Sequence, residues 1–114
     1  MVLREFELGA IQVHILHHAT IQPFYGRWMV DELARHGYSV SFGTLYPTLH
    51  RMEQAGLLVH EEQRDGRTVR KYYRATQDGY LALVQVRRMV RELYGELIGD
   101  DDVPFHDRIP PTET

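Results

Sequence analysis

The chain has 114 residues, of which 43% are apolar and 25% charged, a composition typical of one globular domain with a modest core. It contains no cysteine, which excludes disulfides and thiolate metal sites, and no apolar run approaches the 18 residues of a membrane span. Acidic residues and histidines interrupt the apolar N-terminus, so it does not resemble a signal peptide. We therefore expect a cytoplasmic protein with no membrane partner.

The formal charge of −3 is unevenly distributed along the chain. Residues 99–114 carry a net charge of −4, so residues 1–98 together carry +1. Within the latter, a short basic stretch holds five cations against Asp65, namely Arg64, Arg67, Arg70, Lys71 and Arg74. This pattern predicts an acidic, disordered tail and a basic segment suited to a polyanionic partner.

Helical spacing of apolar residues predicts a first helix from Glu5 to His18. A second helix is predicted from about Tyr25 to Arg35, with Gly37 ending it. The third lies in "SFGTLYPTLHRMEQAGLL", residues 41–58, and ends at Gly56. Its buried side is predicted to be formed by Leu45, Leu49 and Met52.

The start of the third helix is ambiguous because it contains Pro47. If Ser41 is the N-cap, the proline lies one and a half turns inside the helix and the Gly43 carbonyl has no intrahelical partner. If Thr44 is the N-cap, the proline falls in the first turn, where its missing N–H costs nothing. In both cases the helix has a donor-rich, outward-facing N-terminus, which suits phosphate.

The spacing of apolar residues changes after the third helix, from helical to strand-like. Strands are predicted at Leu57–Glu62 and Thr68–Ala75, with a hairpin turn at the Asp-Gly pair of "RDGR". Thr76 is a predicted N-cap for a last helix from Gln77 to about Ile98. The order of elements predicts an α+β, mostly helical fold, a winged helix-turn-helix (1–75) with a C-terminal dimerisation helix (76–98) and the acidic tail (99–114).

The stretch "GTLYPTLHRMEQAGLL", followed by a basic hairpin ending in "RKYYRATQDGY", resembles the PadR-like transcriptional regulators. "FYG" before the second helix and "ELGAIQVHIL" in the first also match, so the resemblance covers about residues 5–98. The single helix after the wing is similar to the shorter branch of the family. The chain departs from the family pattern at Met52, where leucine is commoner, and at Arg27, where glutamate is usual. The resemblance implies a dimeric repressor that binds double-stranded DNA.

Candidate DNA contacts lie on the third helix and on the wing. His50 and Arg51 are placed to meet base edges, while Tyr46 either contacts phosphate through its hydroxyl or serves as half-buried packing. Ser41 and Thr44 are helix caps, phosphate donors or both. The full set of predicted DNA contacts is Ser41, Thr44, Tyr46, His50, Arg51, Arg64, Arg67 and Lys71.

The last helix has two apolar sides, more than one surface of a small domain requires. A heptad-like seam predicts a homodimer interface formed by Leu83, Val86, Val90, Leu93 and Leu97. By family resemblance, a small aromatic or lipophilic effector is expected beside this helix, with Tyr80, Val84 and Met89 as walls.

The resemblance thus implies a sequence-specific regulator, a homodimeric repressor released by an effector, and two-fold symmetry of such a dimer predicts an inverted-repeat operator. The alternative is a winged-helix module that binds an acidic protein partner. No catalytic motif is present, so we expect neither an enzyme nor a cofactor. His14, His17 and His18 have a spacing that could ligate a metal, but without cysteine or an HExxH motif no metal site is predicted.

Overall fold

A computed structural model describes residues 1–99 of the chain, so the predicted tail lies outside the described residues except for Gly99. The elements follow in the order α1 (Val2–Ile21), α2 (Gly26–Arg35), α3 (Phe42–Gln54), β1 (Leu58–Asp65), β2 (Thr68–Ala75) and α4 (Gln77–Leu97). This order is that of a winged helix-turn-helix, which confirms the predicted fold class. No helix within residues 1–99 is both long and apolar enough to cross a membrane.

The chain divides into two compact units, and the division falls inside α4. The first unit, Met1–Leu83, contains the three N-terminal helices, the wing and the first turns of α4. The second begins at Val84 and contains the rest of that helix.

Helix α1 is longer than predicted at both ends. It starts directly after Met1 and continues to Ile21, past the expected end at His18. The C-terminal extension has a tertiary cause, because Ala19 continues the buried stripe of Ile11 and Ile15 by one more turn. Pro23 therefore lies after the helix has already ended.

The helix-turn-helix is formed by α2, the turn at Gly37 (φ 89°) and α3. Ser41 is the N-cap of α3, so the first of the two alternatives holds and Pro47 lies inside the helix. The Gly43 carbonyl accordingly lacks its usual i+4 donor. One residue later, the Thr48 hydroxyl donates to the Thr44 carbonyl at 2.9 Å.

The wing is a two-stranded antiparallel hairpin with pairs running from Leu58↔Ala75 to Asp65↔Thr68. Strand β1 is longer than predicted, which reduces the turn to Gly66 and Arg67. Gly66 has φ 64°, as a two-residue turn with glycine at its first position requires. On the other edge of β2, Phe24 exchanges two backbone hydrogen bonds with Tyr73, which fixes the wing to the segment before α2.

The core of the first unit is apolar and is shared by α1, α2, α3 and the wing. Its most deeply buried side chains are Ile15, Met29, Leu33, Leu45, Leu49 and Leu58. The predicted N-cap of α4 is confirmed, since the Gly79 N–H donates to Thr76 Oγ1 at 3.0 Å. The core therefore holds α3 by its apolar side and leaves the opposite side in solvent.

Candidate nucleic-acid interface

The N-termini of α2 and α3 and strand β2 enclose an open groove of about 710 Å³. We call it the basic groove. Three of its eight residues are cationic, none is acidic, and three are aromatic. The lining residues are Tyr25, Gly26, Arg27, Phe42, Tyr46, Val69, Arg70 and Lys71. Such a lining suits a polyanion whose backbone runs across the ends of the two helices.

Tyr46 lines this groove beside Gly26 of α2. A Cβ on residue 26 would lie 2.5 Å from the Tyr46 hydroxyl oxygen, so the ring can lie there only because residue 26 is glycine. On its own helix, Tyr46 stacks on Phe42 with a centroid distance of 6.0 Å. The ring remains 43% exposed, so both packing and an accessible hydroxyl are compatible with the structure.

Arg70 and Arg27 bring charge to the groove from two different elements. The Arg70 guanidinium lies 4.7 Å from the centre of the Tyr25 ring, a cation–π contact. That ring also meets Tyr72 edge-on at 5.6 Å, which fixes its position. Arg27 is exposed and lies 3.9 Å from Asp31 on the next turn of α2, a weak surface pair that leaves the guanidinium accessible.

The hairpin register sorts the predicted wing contacts by face. Arg64 and Lys71 point to the same side of the hairpin as the buried Tyr73, because paired residues share a face and alternate residues lie on it together. Lys71 is paired with Glu62, which offsets part of its charge. Arg67 is exposed in the turn itself. The wing therefore presents cations at its tip and along its side.

The predicted contacts on α3 all face solvent. His50 and Arg51 are exposed, and the Arg51 guanidinium donates to Thr48 Oγ1 at 3.3 Å. The Ser41 hydroxyl donates to Thr44 Oγ1, also at 3.3 Å, and Ser41 makes no side-chain hydrogen bond that caps a backbone N–H of α3. The backbone donors of the first turn are thus not used by side-chain caps.

Sequence reasoning did not assign Tyr25, Arg27, Phe42 or Arg70 to the site, although the groove includes all four. Arg27 could have been singled out from the sequence, because it directly follows the family-like "FYG" at the start of α2 and stands where glutamate is usual. The first turn of α2 lies beside the second turn of α3, as the contact between Gly26 and Tyr46 shows. No local pattern indicates that Arg70 meets Tyr25.

The predicted seam on α4 is divided between the two units. Leu83 is buried in the core of the first unit and is only 6% exposed, so this side chain already has partners within the chain. Val86 is half-buried, whereas Val90, Leu93 and Leu97 are exposed in the second unit. Among the predicted effector walls, Tyr80 and Met89 are exposed and Val84 is half-buried.

Three histidines and a glutamate meet between α1 and α2. His14 and His18 lie one turn apart on α1, and His36 is the C-cap of α2. Each offers a ring nitrogen, and these atoms lie within 4.8 Å of one another. Glu32 is buried, and its Oε2 lies 3.3 Å from His18 Nε2 and 3.1 Å from His36 Nε2. His17, which the sequence grouped with His14 and His18, is exposed and outside this cluster.

Burial lowers the pKa of His14 and His18 below the ordinary imidazole value, and the neighbouring histidines add to this effect. For His18 the attraction of Glu32 opposes that shift without reversing it. Burial alone would raise the pKa of Glu32, but its hydrogen bond with His36 and the nearby Arg35 hold the pKa below its usual value. The carboxylate is therefore ionised in the folded chain near neutral pH.

Comparison with known proteins places the chain in a family. The model of the transcriptional regulator PadR-like family matches residues 15–85. The chain is 53% identical over 98 residues to the transcriptional regulator Rv3488 of Mycobacterium tuberculosis, an alignment that covers 85% of this chain and 91% of that protein.

Solved structures agree with this assignment. A PadR family transcriptional regulator from Eggerthella lenta is 33% identical, with a TM-score of 0.74 over 88% of this chain and 91% of that one. A PadR-like transcription factor from Bacteroides fragilis is 27% identical, also with a TM-score of 0.74, over 83% and 93%. The chain belongs to the PadR-like family. It is a transcriptional regulator and not an enzyme.

Proposed function

We propose that the chain binds double-stranded DNA, with α3 in the major groove and the wing against the phosphate backbone. The observation that carries this proposal is the basic groove, where Arg27, Arg70 and Lys71 line one open space beside the N-terminal part of α3 and no lining residue is acidic. Backbone N–H groups at a helix N-terminus and nearby guanidinium groups are the donors that phosphate oxygens accept from.

The exposed side of α3 supplies the sequence-reading part. His50 and Arg51 lie one turn beyond Pro47 and face solvent, where side chains of a recognition helix reach base edges. Arg64 and Arg67 lie at or near the wing tip and carry the sequence-independent phosphate contacts. Tyr46 contributes its hydroxyl to phosphate at the junction between these two parts.

The regulator acts as a homodimer on an inverted-repeat operator. Support comes from the second unit, where Val90, Leu93 and Leu97 leave 55%, 37% and 45% of their surfaces exposed on one helix. Side chains of this size at heptad spacing are typical of a helix that pairs with another helix. Two-fold symmetry then implies two half-sites about 10 bp apart, centre to centre.

In this proposal the dimer is a repressor, and a small aromatic or lipophilic effector releases it from DNA. Support for the effector comes from the family and from the exposed Tyr80 and Met89 on α4. A panel of aromatic compounds, tested for release of bound DNA and for a shift in melting temperature, checks this part. If no compound has either effect, the effector is dropped from the proposal.

DNA binding is tested by fluorescence anisotropy with duplex DNA from upstream of the protein's own gene and a shuffled duplex of equal length. We expect tight binding to the first and weaker, salt-sensitive binding to the second. Arg70→Ala should weaken both, whereas Arg91→Ala, which removes the same charge from an exposed position on α4, should change neither by more than about twofold. Equal affinity for both duplexes and for an acidic protein would favour the protein-binding alternative and overturn the proposal.

A further inference from the structure

We propose that His14, His18, His36 and Glu32 form a binding site for a divalent transition metal such as Zn²⁺, which ties α1 to the end of α2. The four side chains come as two pairs, each one helical turn apart, from two neighbouring helices. All four residues lie within the first unit.

The geometry already matches part of a metal coordination sphere. A tetrahedral Zn²⁺ with bonds of about 2.0–2.1 Å places its ligand atoms about 3.3 Å apart. Glu32 Oε2 lies 3.3 Å from His18 Nε2 and 3.1 Å from His36 Nε2, so this oxygen has the spacing to both nitrogens that such a site requires. The ring nitrogens of the three histidines lie within 4.8 Å of one another, and rotation of the partly exposed rings would close the remaining gap.

The surroundings of Glu32 favour a single-oxygen ligand. Arg35 Nη1 lies 3.2 Å from Oε1, which leaves Oε2 facing His18 and His36. Removing a buried carboxylate from water is costly unless opposite charge compensates it, and a bound divalent ion supplies such charge next to Oε2. The cluster thus has a buried anionic oxygen that points directly at the imidazoles.

The ligand types select a class of metal. Imidazole nitrogen with one carboxylate oxygen suits Zn²⁺, Ni²⁺, Cu²⁺ and Co²⁺, whereas Mg²⁺ and Ca²⁺ prefer oxygen donors throughout. Because no thiolate is present, the site does not require a reducing environment to remain competent. His36 directly precedes the turn to α3, so a bound ion would hold the beginning of that turn against α1.

Trp28 provides a direct reporter of occupancy. It is the only tryptophan in the chain, and its ring centre lies 5.3 Å from that of His18. Untagged, chelator-treated protein is titrated with Co²⁺, whose unpaired electrons quench a nearby indole. We expect saturable quenching at one ion per chain, together with the intense visible bands of four-coordinate Co²⁺. Added Zn²⁺ should abolish both signals, because it forms the more stable complex at such a site.

Variants separate this site from other cation-binding groups. Residues 100–107 contain four aspartates and His106, which can attract cations without any built site. His14→Gln, His36→Gln and Glu32→Gln keep that segment intact, and each should weaken Zn²⁺ binding at least about tenfold. The matched control is His17→Gln, which removes an exposed histidine from the same helix and should leave the affinity unchanged.

Thermal unfolding provides a second readout that also tests whether the variants fold. Excess Zn²⁺ should raise the melting temperature of the wild type and of His17→Gln by at least about 5 °C, and that of His36→Gln by much less. The proposal is overturned if the wild type shows no quenching at stoichiometric Co²⁺. It is equally overturned if His17→Gln loses as much affinity as His36→Gln, since binding would then not depend on this cluster.

Discussion

The Tyr46 ring rests on Gly26, and this contact joins the start of α2 to the second turn of α3 in the helix-turn-helix. A Cβ at residue 26 would lie 2.5 Å from Oη and 2.8 Å from Cζ of the tyrosine. Gly26 does not have a positive φ, so its backbone conformation is open to any residue. The requirement for glycine at this position is therefore steric and comes from Tyr46 alone among its nearest atoms.

Gly26→Ala should accordingly destabilise the first unit, because the new methyl group forces the tyrosine ring away. We expect a net loss below about 1 kcal/mol, because the clashing atoms are the far end of a 43% exposed ring that can turn away, unlike a side chain confined in a well-packed core. In a domain of this size that corresponds to a fall in melting temperature of about 4–8 °C per kcal/mol, measured by circular dichroism. In a Tyr46→Ala background the same substitution should cost almost nothing, since the clashing atoms are absent.

Gly9→Ala is the control for this experiment. Gly9 is an exposed position inside α1, and a Cβ there would meet nothing within 4 Å. Alanine should stabilise the helix by about 0.5–1 kcal/mol, the opposite sign to Gly26→Ala. Equal costs of Gly26→Ala in the presence and absence of Tyr46 would show that another neighbour imposes the requirement.

Thr76→Ala should cost about 1–2 kcal/mol through loss of the N-cap of α4. The threonine oxygen accepts from the Gly79 N–H at 3.0 Å, and its hydroxyl donates to the carbonyl of Gly56, which follows the C-terminus of α3. Thr76→Ser keeps both hydrogen bonds and should lose less than half as much stability in chemical denaturation. If serine and alanine destabilise the protein equally, the methyl group and not the cap is responsible.

The fold could be predicted from the sequence because its determinants are local. Glycines at positions 37, 56 and 99 end their helices with positive φ, and the period changes where α3 passes into β1. The predicted element ends that were wrong depended on contacts between residues far apart in the sequence. The end of α1 is set by burial of Ala19, and the length of β1 is set by its pairing with β2.

In the candidate sites, too, residues placed by local spacing could be predicted, and residues brought together by tertiary contacts could not. The outward side of α3 follows from helical spacing, so His50 and Arg51 could be placed from sequence. The convergence of Arg27 with Arg70 requires knowledge of how β2 lies beside α2, which no spacing along the chain reports. The histidine spacing on α1 identified His14 and His18, whereas the third member, His36, lies on another helix.

Leu83 and Leu93 should respond differently to substitution, although the heptad pattern gave them the same role. Leu83 is 6% exposed in the core, so Leu83→Ala should destabilise the first unit by about 2–5 kcal/mol. Leu93 is 37% exposed, and Leu93→Glu should dissociate the proposed dimer by placing an unpaired charge in its seam. Light scattering measures the mass, with Gln85→Glu as a charge-matched control on α4. A Leu93→Glu protein that keeps a dimeric mass would exclude this seam as the interface.

The wing and the recognition helix should differ in what their substitutions do to DNA binding. Arg67→Ala at the exposed wing turn should weaken binding to operator and shuffled DNA in similar proportion. It should also reduce the salt slope, which is the slope of log binding constant against log salt concentration, by about one unit. Tyr46→Phe should resemble it, because the hydroxyl is assigned to phosphate and the ring keeps its place against Gly26 and Phe42.

His50→Ala should instead reduce the difference in affinity between operator DNA and shuffled DNA. It should leave the dependence of affinity on salt concentration nearly unchanged. A base-edge contact of this kind discriminates by about 1–3 kcal/mol and neutralises no phosphate. Salt titrations of Arg67→Ala, Tyr46→Phe and His50→Ala on both duplexes measure the two quantities separately. If Arg67→Ala removed the specificity and His50→Ala lowered only the overall affinity, the roles assigned to the wing and to α3 would have to be exchanged.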